Sequence, residues 1–227
     1  MYIGLGIGKK LKDIQQRFNV EKVTSQTRKY LPVTQADAET LPYWPIITSQ
    51  SPTALQQFRW GLLSTTTKPE QVESTPLRRL HVPSHDLALK AYAREPFQNG
   101  QRALVLADRF FVHRKEGKNQ VLYQLSLRYN QLFALAGIYE TWQQEDQVIP
   151  TFTLITTPGN SLLKFINNVT GLMPVIIDPE HESLWLSDRS SDDPAITSLL
   201  QPFDEKQMKA LRLTHTDQLS LFEPSPF

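Results

Sequence analysis

Apolar residues recur along the chain with two different periods. At residues 9–18, Leu11, Ile14 and Phe18 fall at helical spacing with Lys and Gln between them, which predicts a short amphipathic helix. Residues 28–63 are interrupted by Pro32, Pro42, Pro45 and Pro52 and read as extended chain and loop, closing on Phe58-Arg59-Trp60-Gly61-Leu62-Leu63. Between Ser64 and Pro83 a stretch of Thr, Pro and charge predicts a surface loop. Ser84 is placed to cap a helix running through Tyr92 to Arg94, with Pro96 as its stop. Strand-like runs follow at Ala103–Leu106, Phe110–His113, Val121–Leu127 and Leu132–Tyr139, with Glu116-Gly117-Lys118-Asn119 as a hairpin turn. Thr151–Thr157 and Met173–Ile177 read as further strands and Ser161–Ile166 as a short helix. Asp193 before Pro194 marks another helix start, and Asp204 the start of a last helix reaching about Lys209. Sequential strands with sparse helices predict an α+β fold around a mixed, barrel-like sheet with short flanking helices.

Composition narrows the chemistry. With 227 residues, 40% hydrophobic and 21% charged, the chain can bury a full core. We read residues 1–212 as one domain and 213–227 as a tail. There is no cysteine, so disulfides, thiolate metal sites and a cysteine nucleophile are excluded. His81, His85, His113, His181 and His215 show no ligand spacing, and no metal or other cofactor is expected. The first ten residues lack the apolar stretch of a signal peptide or membrane span, so no membrane association is expected and the location is read as cytoplasmic, with the nucleoid. Net charge is +1, so any nucleic-acid surface must be built locally from the 24 Lys and Arg. Lys9, Lys10, Arg28 and Lys29 are one such local group.

The tail carries a motif of its own. Gln218-Leu219-Ser220-Leu221-Phe222 resembles the pentapeptide by which bacterial proteins dock on the DNA sliding clamp. Leu221 and Phe222 suit one apolar pocket, Leu219 supports them, and the Gln218 amide suits a hydrogen bond at the pocket rim.

Several blocks, taken in order, resemble one family. Tyr30-Leu31-Pro32-Val33-Thr34-Gln35, Phe58-Arg59-Trp60-Gly61-Leu62, the run from Arg102 to Phe111, the run from Ala134 to Glu140, the run from Phe152 to Asn160 and Met173-Pro174-Val175-Ile176 are similar to blocks of the SOS-response-associated peptidase (SRAP) proteins. That family processes abasic sites in single-stranded DNA. The resemblance implies DNA contacts at Pro32, Thr34, Arg59, Trp60 and Asn160, with Arg59 offering a cation and Trp60 a stacking face.

The departures fall on the family's catalytic positions. The cysteine after the initiator Met, whose amine and thiol capture the abasic aldehyde, is replaced by Tyr2, whose phenol cannot act as a thiolate. The family glutamate falls on Val112 and the following Trp on His113. The family histidine falls on Asn167 or Thr170, and its arginine on Leu172. An Asn-x-Arg segment falls near Asp86 and Ala88. Two readings follow. One is a monomeric, non-catalytic protein that binds single-stranded or abasic DNA weakly and docks on the clamp. The other is an enzyme whose Met1 α-amine forms a Schiff base with the abasic aldehyde, with His113 as acid or base.

Overall fold

The computed structural model describes residues 3–24, 27 and 30–214. Strand β1 (Gly4–Ile7) opens it and runs into helix α1 (Leu11–Arg17). The helical spacing of Leu11, Ile14 and Phe18 is used as the pattern demands: Ile14 and Phe18 are buried and the lysines face water. After the two-residue β2 (Lys22–Val23), β3 (Val33–Asp37) lies antiparallel to β1. The Pro-broken segment then resolves into a tight hairpin of β4 (Tyr43–Thr48) and β5 (Ser51–Trp60). Pro45 is tolerated inside β4 because it stands one residue before Ile46, where the pairing with the next neighbour begins.

β5 ends in Arg59 and Trp60, paired in parallel with Thr151 and Phe152. The chain leaves that edge at Gly61, held at φ +103 under Pro76, where a Cβ would lie 2.5 Å from the proline ring. It returns as β6 (His81–Pro83), which continues along the same neighbouring strand from Leu154 to Thr156. The loop between is tied down by Arg59 Nη2 donating to the Val72 carbonyl at 2.7 Å and by Trp142 Nε1 donating to the Thr67 carbonyl at 2.8 Å.

Helix α2 (Ala91–Gln98) begins later and ends later than expected. Ser84 heads only a 3-10 turn, and Pro96 lies inside the helix instead of stopping it. A proline there removes one backbone hydrogen bond, while its ring is buried beside Ala93 and Phe97. β7 (Arg102–Ala107), β8 (Arg109–Glu116), β9 (Asn119–Leu127), β10 (Phe133–Gln144) and β11 (Gln147–Pro158) follow in order, and β8 and β9 meet at the expected turn with Gly117 at φ +61.

Helix α3 (Ser161–Ile166) leads to β12 (Leu172–Pro174) and β13 (Ile176–Ile177). These replace the single strand expected at 173–177, because β12 pairs with β11 and β13 with β10. Short helices α4 (Glu182–Trp185) and α5 (Pro194–Thr197) pack outside, the latter capped by Asp193 as its sequence implied. The helix expected from Asp204 is a single 3-10 turn followed by strand β14 (Met208–Arg212). The open edge of β9 takes these residues, pairing Met208 with Leu127 through to Arg212 with Tyr123.

Strands β11, β10, β7, β4 and β5 close into a five-stranded barrel through the parallel β5–β11 contact. A second sheet, ordered β14-β9-β8-β1-β3, lies against it, and the apolar core fills the space within and between them. The α+β reading is the observed class. The near-continuous apolar runs of β7 and β10 are those of strands buried on both faces.

Candidate functional site

The site is built around the N-terminal end of β1. That strand is held between β3 and β8, with Gly4 opposite both Asp37 and Phe111. Gly6 permits the close fit, since a Cβ there would lie 2.4 Å from the Thr34 carbonyl. At the far end of β1 the Tyr30 hydroxyl is hydrogen-bonded to the carbonyls of Ile7 (2.9 Å) and Lys9 (3.0 Å), and burial pushes its pKa up. The Gly8 N–H donates to Asp108 Oδ2 at 2.8 Å, and Arg109 Nε donates to Asp108 Oδ1 at 2.7 Å. Tyr30 and Asp108, both in blocks similar to the family, therefore fix where β1 lies.

Ile3, the residue before β1, is buried, and its carbonyl accepts from the Ala38 N–H. Continuing the register by one step sets Ile3 opposite Val112, which is buried. Beside this point opens a cavity of about 350 Å³ lined by Glu39, His113, Lys115, Gln120, Asn167, Val169 and Thr170. Three positions singled out in the sequence, His113, Asn167 and Thr170, thus come together from β8 and the loop after α3.

Local hydrogen bonds set the shape of this cavity. Asn167 Nδ2 donates to Thr170 Oγ1 at 2.7 Å and to the Leu172 carbonyl at 2.8 Å, which fixes the loop carrying Thr170. The Asn168 side chain accepts from the Lys115 N–H at 3.0 Å and donates to its carbonyl at 2.9 Å, joining that loop to β8. Burial lowers the His113 pKa below the ordinary imidazole value, opposed by Asp37, so the ring is neutral at physiological pH. The lining offers a neutral imidazole, an ammonium, a carboxylate, amides and a hydroxyl that already accepts from Asn167. It suits a polar ligand held by hydrogen bonds. It presents no thiol.

The other expected contact residues lie elsewhere. Trp60 is 0% exposed, donates from Nε1 to the Leu80 carbonyl at 2.8 Å and stacks on Phe152, so the DNA-stacking role expected of it is corrected to a core role. Turning outward to stack on a base would return about 1–3 kcal/mol. Removing a buried Trp from its core costs roughly 3–5 kcal/mol. Arg59 is likewise buried, spent on Val72 and Glu73 instead of a phosphate. Asn160 caps α3, accepting from the Leu163 N–H and donating to the Phe203 carbonyl, both at 2.8 Å. Pro32 is exposed before β3 and Thr34 is half-buried within it, three residues of strand and so roughly 10 Å from Asp37. Met1, Tyr2, Arg28, Lys29 and the motif Gln218–Phe222 lie outside the described residues.

One buried polar group was not anticipated. Among the described residues His81 Nδ1 and Thr156 Oγ1 have no hydrogen-bond partner, and burial lowers the His81 pKa from 6.5 to about 4. The sequence signal was a lone histidine in the apolar run Leu80-His81-Val82, easily read as part of the loop before it.

A glycine-threaded first strand, a closed five-stranded barrel and a polar cavity where that strand enters define an SRAP-type domain. The family model for the SOS response associated peptidase (SRAP) matches residues 6–216, and the chain belongs to that family. It is 29% identical over 204 residues to the abasic site processing protein YoqW of Bacillus subtilis, covering 89% of this chain and 87% of that one. YobE of the same species, also named an abasic site processing protein, is 28% identical, with 89% of each chain covered. A crystal structure of a protein from Bacteroides thetaiotaomicron superposes with a TM-score of 0.88 at 30% identity, covering 98% of this chain and 97% of that chain. Among the described residues no helix is long and apolar enough to cross a membrane.

Proposed function

We propose that this protein acts in DNA damage repair by binding single-stranded DNA at an abasic site, holding the sugar-phosphate in the cavity at the head of β1 without crosslinking it. The observation that carries this reading is the cavity itself: it keeps a polar, hydrogen-bonding lining around His113, Asn167 and Thr170, with Lys115 beside them to meet a phosphate, in a chain with no cysteine. The relatives named for abasic site processing support the ligand class. The motif Gln218–Phe222 supports docking on the bacterial sliding clamp, beyond the last strand.

A second reading is favoured by the direction of β1, whose first residue, Gly4, pairs with Phe111, so that Ile3 before it stands toward the end of β8 that continues into Val112 and the cavity-lining His113. In it the Met1 α-amine condenses with the abasic aldehyde. Incubation with an abasic-site oligonucleotide and borohydride separates the two. Reversible binding with no trapped species supports the binding protein. A trapped adduct that N-terminal acetylation removes supports the Schiff base and overturns the first reading.

A further inference from the structure

An aromatic ring lies open just before the segment that lines the cavity. Phe165, in the last turn of α3, is 58% exposed, unusual for Phe in a domain that buries all four of its tryptophans. One of its faces is covered: the Arg114 guanidinium lies 3.9 Å from the ring centroid. The exposed part is therefore the opposite face and edge. The ring is also held in place, because Arg114 is only 20% exposed and pairs with Glu116 at 3.5 Å.

Its surroundings are cationic. Glu116 is shared between Arg114 and Arg212, two cations on one carboxylate. Lys115 and Lys164 are exposed and adjoin Arg114 and Phe165 in sequence, Lys115 also lining the cavity. The segment from Asn167 to Thr170, which lines the cavity, begins two residues after Phe165, and Asn168 ties it to Lys115. A fixed π-face within a positive patch matches the pairing by which single strands are held, base on ring and phosphate on cation. A clasp fastening α3 to β8 would use the Arg114 face alone and gains nothing from leaving the other face in water.

We infer that the open face of Phe165 is a stacking site for an unpaired nucleobase, namely one flanking the nucleotide held in the cavity, with Lys115 and Lys164 on its phosphates. The inference rests on the reading that the cavity takes single-stranded DNA. It predicts that affinity comes partly from a base next to the lesion, so a strand with neighbouring bases binds better than a bare sugar-phosphate chain of equal charge.

The test measures anisotropy of a labelled single-stranded oligonucleotide with one abasic site, using the full chain. Phe165→Ala and Phe165→Leu are expected to weaken binding by about 5- to 100-fold, the loss of one base stack. Phe165→Leu keeps the apolar packing and loses only the Arg114 stacking contact, so its melting temperature is expected to fall by no more than about 4 °C. Phe165→Trp is expected to retain binding, and its emission, read as the difference from the wild type with its buried tryptophans, to be quenched by the oligonucleotide. An oligomer of abasic sugar-phosphates should leave that emission unchanged. Wild-type binding that Phe165→Leu leaves intact, or emission indifferent to bases, overturns the stacking site alone. No binding by the wild type overturns the DNA reading with it.

Discussion

At the scale of single residues, the side chains most suggestive of DNA contact serve the interior. Arg59 and Trp60 stand in a family-like block, yet both end β5 against β11, where a guanidinium and an indole N–H satisfy backbone carbonyls that the loop would leave buried. His81 shows the opposite case, a polar group whose Nδ1 is buried with no partner among the described residues. Its pKa falls from 6.5 unfolded to about 4 folded, so the folded state binds fewer protons between those values. The stability it contributes is fully present above pH 6.5 and declines as the pH falls toward 4. The loss is on the order of 3 kcal/mol across that window. Urea midpoints at pH 7 and pH 4.5 should therefore differ less for His81→Gln than for the wild type. An equal difference would show that this ring is not what titrates. His113 is shifted in the same direction by burial and adds to the wild-type pH dependence in both proteins.

Among the elements, the segment from Ser64 to Pro83 was legible as a loop from its Thr, Pro and charge, but not as a packed one, nor as ending in strand β6. Its anchors come from Arg59 before it and Trp142 far after it, and Leu63, Val72, Trp142 and Ile149 make a small apolar cluster beneath it. Arg59→Ala should strip Val72 of its partner, lower stability by about 1–3 kcal/mol and open residues 64–80 to limited proteolysis. The salt dependence of DNA binding should not change. A slope reduced by about one would instead mark Arg59 as a phosphate contact. The predicted helix at Asp204 failed for a related reason. Local capping starts a turn there, with the Lys206 N–H bonded to Asp204, but the unpaired edge of β9 offers five residues of ladder and takes the next segment. Pro96 likewise sits within α2 because tertiary burial of its ring outweighs one lost hydrogen bond.

For the whole molecule, the described fold ends just after β14, with Leu213 buried against Phe111 and Leu122 and its N–H donating to the Leu122 carbonyl. The motif Gln218–Phe222 begins beyond this anchor. Leu221→Ala with Phe222→Ala should abolish binding to purified bacterial sliding clamp, because two apolar side chains dominate so short an interface. The melting temperature should stay as it was, and a matching fall would mean that the tail packs on its own domain. The hydrophobic pattern by itself determined strands β7 to β11, the β8–β9 turn, α1 and the α+β class, since period and turn chemistry are local properties. The ordered blocks determined the family, and the absence of cysteine removed the thiol chemistry. Only tertiary structure decided which matched residues face water. The parallel approach of β5 to β11 buries Arg59 and Trp60, while the joining of α3 to β8 gathers His113, Asn167 and Thr170 around one cavity and leaves Phe165 open. Burial and convergence depend on contacts between residues far apart in the chain, which no local pattern encodes.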